Sequence, residues 1–180
     1  MLIASQKKKE NIAEYLLYMW QIEDLIRSYK LDMEAINREI VEKFDQPAET
    51  KKAILDWYES LVDMMRREGV VEHGHLQLNK NVIIDLTDLH LRLMKSTKEP
   101  FYSAEFYKTL PFIVELRSKA KENIKGEIET CFDALYGVLM LRLQGKEISP
   151  ETQRAISQIS RFLALLSEKY KQDRNNELEL

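Results

Sequence analysis

Between Ile12 and Tyr29 apolar side chains return every three or four positions, at Ile12, Tyr15, Leu16, Met19, Ile22, Ile26 and Tyr29, with Leu17 and Trp20 widening the stripe. That spacing gathers side chains on one face of a helix, and a stripe this wide needs more than one neighbour to cover it. The same period returns in later segments almost to the end of the chain. Five glycines and four prolines in 180 residues leave little turn material for a strand fold. The expected fold is therefore all-α, a single-domain, mainly antiparallel bundle of about six to seven helices over residues 1–170, followed by a frayed polar tail at 171–180.

Local signals place the helix ends. The first helix is expected over Ser5–Tyr29, and Asp32 can cap a second that runs to about Phe44. Pro47 suits the first turn of a third, which carries Ile54, Trp57, Tyr58, Leu61 and Met65 and ends with Arg66 and Arg67 before a left-handed stop at Gly69. In Gly69–Asn79 the helical period lapses, and His73-Gly74 can turn a short β-hairpin over 70–78. A fourth helix follows over about Lys80–Ser96. Ser103 can cap a fifth, bearing Phe106, Leu110, Ile113, Leu116 and Ala120, in which Pro111 predicts a kink or two abutting segments. A sixth spans about Gly126–Gln144 and stops at Gly145. Ser149-Pro150-Glu151 opens the seventh with a cap, a first-turn proline and an acid at the positive helix end.

Charge and cysteine content narrow the partners. With 27 basic and 30 acidic side chains the net charge is -3, so no overall field draws the chain to nucleic acid or to an anionic membrane. No apolar run approaches the ~20 residues that span a bilayer, and the basic cluster Lys7–Lys9 follows the short apolar start instead of preceding it, so neither a membrane segment nor a secretory signal is expected. Cys131 stands alone, which rules out an internal disulfide and a multi-thiolate zinc site, and it reads as a small buried residue. The cytoplasm is the expected compartment.

Few constellations carry chemistry. Glu72, His73 and His75 are the densest metal-ligating set, yet three ligands in one turn fall short of a structural zinc site, and neither a metal nor another cofactor is expected. A polar stripe on the fourth helix, Asp85 and Asp88 with His90, could meet Glu14 and Asp133 from other helices, and convergence of these five would make an enzyme. Asp88 already has Arg92 four residues on as an ion-pair partner, and His90 sits among Ile83, Leu86, Leu93 and Met94 as a core histidine would. The helix over 47–68 followed by the hairpin has the order of a winged-helix DNA reader, with Lys51, Lys52, Arg66 and Arg67 for phosphates, although Asp56, Glu59 and Asp63 on the same helix oppose it. The seventh helix shows a clean seam of Ile156, Ile159, Leu163, Leu166 and Tyr170, the first candidate for a homodimer face.

The stretches ENIAEYLLYMWQIEDLIR (Glu10–Arg27), NKNVIIDLTDLHLRL (Asn79–Leu93) and GEIETCFDALYGVLMLRLQ (Gly126–Gln144) resemble an uncharacterised family of Bacteroides-type bacterial proteins, known only as a domain of unknown function. The resemblance covers nearly the whole chain and implies a helical, intracellular bacterial protein without implying an activity. The reading that follows is a non-enzymatic helical interaction or adaptor protein that self-associates. A winged-helix regulator and a hydrolase or metal protein with a polar site between helices are the alternatives.

Overall fold

The computed structural model describes residues 2–119 and 125–180, and every regular element among them is helical. In chain order these are α1 (Leu2–Glu10), α2 (Ile12–Ser28), α3 (Met33–Glu39), a 3-10 turn (Val41–Lys43), α4 (Ala48–Arg67), α5 (Gln77–Lys95), α6 (Pro100–Lys119), α7 (Glu127–Leu143) and α8 (Pro150–Arg174). The chain divides into two compact units, Met1–Lys8 with Glu14–Asn81 and Lys9–Ala13 with Val82–Leu180. The two interleave in sequence, so no single cut of the chain separates them.

Several ends lie where local chemistry puts them. Asp32 caps α3, its carboxylate accepting from the backbone N–H groups of Glu34 and Ala35, and Ser149 caps α8 through Thr152 N–H, with Pro150 in the first turn. Gly69 and Gly145 follow α4 and α7 at φ +70° and +69°, a backbone region that costs a glycine little. Other ends differ. The first helix is broken at Asn11, whose side-chain oxygen accepts from Ala13 N–H and starts α2 afresh. The second shortens to α3 and a 3-10 turn. Ser103 is no cap, because α6 begins at Pro100 and the Ser103 hydroxyl donates back to the Glu99 carbonyl. Ala120, expected on α6, lies outside the described residues.

Pro111 sits inside one continuous helix and faces solvent. The donor it removes is the one that would have bonded the Tyr107 carbonyl, and on the wet side of a helix water replaces it at small cost. The expectation of two abutting segments is thereby corrected.

The hairpin expected over 70–78 is absent. What would be its second strand, Leu76–Leu78, enters the first turn of α5, and side chains take the backbone groups that a ladder would have paired. Arg27 of α2 donates to the carbonyls of Val70 and Gly74, Glu23 accepts the Leu76 N–H at 2.9 Å, and Glu68 accepts the Gln77 N–H at 2.6 Å. An isolated two-stranded ribbon is marginal, and these bonds outcompete it.

In the first unit α3 and the 3-10 turn pack on α4, with Ile36, Val41, Ile54, Tyr58, Leu61, Val62 and Met65 buried. In the second, α6, α7 and α8 pack pairwise on one another. The α8 seam is spent inside this unit: Ile159, Leu163 and Leu166 are at most 1% exposed, and Ile156 and Tyr170 are 8% exposed. Burial of such a side chain contributes about 1.5–3 kcal/mol, an upper estimate. The seam expected as a homodimer face is therefore largely buried within one copy of the chain. The polar tail also starts later than expected, since α8 runs to Arg174. Asp173 accepts from Arg92 at 2.6 Å, and Arg174 donates to the Tyr170 hydroxyl at 2.9 Å and to Asp85 at 3.3 Å.

Candidate functional site

Polar groups buried within a helical core are where chemistry would reside, and the first unit holds one such cluster. Glu23, 1% exposed, lies between Ile22 and Ile26 on the apolar side of α2. Its Oε1 accepts from Leu76 N–H at 2.9 Å and from Asn79 Nδ2 at 2.7 Å, while Oε2 lies 2.6 Å from His75 Nδ1. A carboxylate only accepts, so Nδ1 carries the proton and Nε2 is the free face of the ring. The imidazole stacks on Trp20 with centroids 4.2 Å apart, and the His75 side chain is 26% exposed. One turn on, Arg27 holds the carbonyls of Val70 and Gly74. Two adjacent turns of α2 thus grip one loop, the acid by its N–H groups and the base by its carbonyls. Glu23 also stands at the positive end of α5, where negative charge is favoured.

The arrangement shares with hydrolytic triads a carboxylate that orients an imidazole. Glu23 differs from such an orienter in that two more donors occupy it as a helix-end lock. Of the suggested metal ligands, Glu72 and His73 are exposed and His75 turns in to Glu23. Among the described residues no three His, Cys, Asp or Glu side chains group closely enough to hold a metal ion.

The second unit buries His90, which is 3% exposed and ringed by Tyr102, Phe106 and Phe162. Its Nδ1 lies 2.7 Å from the Tyr102 hydroxyl, and Nε2 lies 3.8 Å from a Glu127 carboxylate oxygen. Burial lowers its pKa to about 4, so the ring is neutral at neutral pH. The proton belongs on Nε2, facing the acid, with Nδ1 accepting from tyrosine. The same burial pushes the Cys131 thiol up to about 12, with the Glu127 charge adding to it, and a protonated thiol is no nucleophile. Glu105 is buried as well. The Lys108 ammonium at 2.6 Å, and then the Gln158 amide at 3.2 Å, hold its carboxyl below the usual range.

Of the remaining residues of the suggested polar site, all but Asp88 have ion-pair partners of their own among the described residues. Asp85 meets Arg174, Asp133 meets Lys125 at 2.7 Å, and Asp88 is exposed. Glu14 belongs to the first unit, is exposed and pairs with Lys7 at 3.2 Å. Three of the four basic residues suggested for DNA are engaged, Lys51 on the Glu42 carbonyl, Arg66 on the Leu31 carbonyl and Arg67 at 4.0 Å from Asp63, while Lys52 is exposed. With no hairpin there is also no wing.

Glu23, Asn79, Tyr102 and Glu105 escaped sequence reading. One signal was present for the acids. Glu23 falls three residues after Trp20 and three before Ile26, and Glu105 three after Tyr102 and beside Phe106, so both interrupt apolar stripes from within.

The surface of the second unit carries the other unusual feature. An open groove of about 700 Å³ runs between α6, α7 and α8, floored by Leu116, Val138, Ile156 and Ile159 and rimmed by Glu115, Lys119 and Arg154. Beside it, α6 turns outward a strip of Ala104, Tyr107, Pro111, Val114 and Ser118, all exposed, with Tyr107 at 62% and Val114 at 56%. Their three- and four-residue spacing puts them on one face, and none is charged. Solvent faces of helices are ordinarily charged. His90, Glu105 and Cys131 are thus tied up inside the second unit, while uncharged surface is left outside.

The family model of a domain of unknown function (DUF4924) matches residues 1–177. No curated protein and no solved structure matches the chain. Among the described residues no helix is long and apolar enough to cross a membrane.

Proposed function

The chain belongs to the family of the domain of unknown function DUF4924, and from that premise, which brings no activity with it, we propose a non-enzymatic helical interaction protein of the cytoplasm. It self-associates and works as an adaptor through the outward surface of its second unit. The observation that carries this reading is the uncharged strip on α6. An exposed tyrosine in a surface free of charge is what protein interfaces enrich, and scattered surface hydrophobes do not line up along four turns of one helix. One further feature supports it: His90 and Cys131 are held in their neutral forms.

A photocrosslinking residue in place of Tyr107 tests the reading. In cells it is expected to give discrete protein adducts, while the same residue in place of the exposed Glu168 gives none. Adducts from neither position, or equally from both, would refute it.

One observation favours a second reading, a hydrolytic site in which His75 Nε2 acts as general base. Glu23 orients the ring as an acid–imidazole pair requires. Hydrolysis of simple esters or phosphoesters that is lost in His75→Gln would establish it, and equal rates in both proteins would remove it.

A further inference from the structure

We propose that the occupant of the α6 strip is a second copy of this chain, packed so that the two α6 helices run antiparallel about a two-fold axis at Pro111–Phe112. The proposal rests on the interaction reading above and names its partner.

An interface between identical copies related by a two-fold must meet itself, so a charge near the axis faces its like. The strip has none. Pro111 and Val114 flank the centre, and Tyr107 comes to lie between Val114 and Ser118 of the partner subunit. Small side chains, Ala104 and Ser118, stand at the two ends and let the helices approach. A helix of 20 residues is about 30 Å long, enough for a continuous seam.

The flank decides the orientation. Lys108 and Glu115 are seven residues apart, about two turns, and share one side of the strip. In an antiparallel pair each flank meets itself in reverse order. A centre at Pro111–Phe112 sets Lys108 across from Glu115 of the partner subunit, and the symmetry makes this contact twice. At present Lys108 reaches back to Glu105 and Glu115 forward to Lys119, each at 2.6 Å along α6. Both side chains remain more than half exposed, at 59% and 56%, so each can turn across the seam, and when Lys108 does so the buried Glu105 carboxylate keeps the Gln158 amide as its donor.

Charge exchange tests this on the full chain, with mass measured by light scattering and sedimentation over micromolar concentrations. The wild-type protein is expected at twice 21.3 kDa. Lys108→Glu and Glu115→Lys each set like charges across the seam twice and should weaken the dimer by about tenfold or more. The double variant Lys108→Glu/Glu115→Lys restores opposite charges and should regain the dimer, and an equimolar mixture of the two single variants should form the heterodimer. Within one copy the double variant still sets its new acid beside Glu105 and its new base beside Lys119, so its recovery can come only from pairing between copies. Thermal unfolding of each variant establishes that it is folded.

A monomeric wild-type protein, single variants that dimerise as wild type does, or a folded double variant that stays monomeric would each overturn the proposal. If self-pairing fails while the Tyr107 crosslinker captures a different protein, self-association falls and only the adaptor part of the reading stands. If no adduct of either kind forms, both fall.

Discussion

The Tyr102 hydroxyl lies 2.7 Å from Nδ1 of His90, and this contact satisfies a buried imidazole without charging it. Tyr102 donates, Nδ1 accepts and Nε2–H faces Glu127, while the rings of Phe106 and Phe162 exclude water. The neutral ring is thereby built into the core, and protonation has to disrupt it.

Stability should follow from that. His90 titrates near 4 when folded and near 6.5 when unfolded, so between these values the unfolded chain binds the extra proton and stability rises with pH. The contribution is complete above pH 6.5 and is lost as the pH falls toward 4. At about 1.4 kcal/mol per pH unit the loss approaches about 3 kcal/mol. Urea unfolding of wild type and His90→Gln at pH 7.5, 6, 5 and 4 should show the gap between the two proteins narrowing as the pH falls. A gap that stays constant would mean that His90 does not titrate as its burial dictates.

Glu23 should be one of the costliest side chains to truncate. Glu23→Ala leaves the Leu76 N–H, the Asn79 amide and the His75 ring without their acceptor in a buried site, which predicts a loss of about 3–5 kcal/mol. Glu23→Gln keeps one acceptor and should cost less, with His75 presenting an unprotonated Nδ1 to the new amide. Denaturant midpoints measure both. A loss below about 1 kcal/mol in Glu23→Ala would show that the loop closes on α5 without this lock.

Cys131 should be silent in the native protein. Fully buried, with its thiol pushed up to about 12, it exposes neither surface nor thiolate to a reagent. At pH 8 a disulfide reagent is expected to label it only in denaturant, or at the slow rate of native-state opening. Rapid stoichiometric labelling of folded protein would place the thiol in a different environment.

The legible part of this protein is local. Asp32, Gly69, Gly145 and the Ser149-Pro150 pair act within one turn of themselves, through a cap, a positive φ or a locked φ, so their effect can be read from a few neighbouring letters. The period of three and four is equally local and foretells helices and apolar faces, the α8 seam among them. Only the fold could say what covers each face. The α8 seam turns inward on α6 and α7, and the outward face is instead the strip of α6, whose proline and tyrosine fall outside the periodic stripe of Phe106, Leu110, Ile113 and Leu116.

The loop ahead of α5 is the clearest case of tertiary decision. Over Val70–Leu78 the sequence offers apolar residues on both sides of His73-Gly74, which by local preference is a hairpin. Arg27 and Glu23 lie more than 40 residues away, and they take the carbonyl and N–H groups that the hairpin needed. A backbone group makes its bond with whichever partner the packed chain brings nearest. By itself, then, the sequence determined that this chain is helical and where most helices stop. Long-range contacts decided which acids are buried, which histidines are bound and which face is left for another molecule, because those depend on distances that the order of residues does not contain.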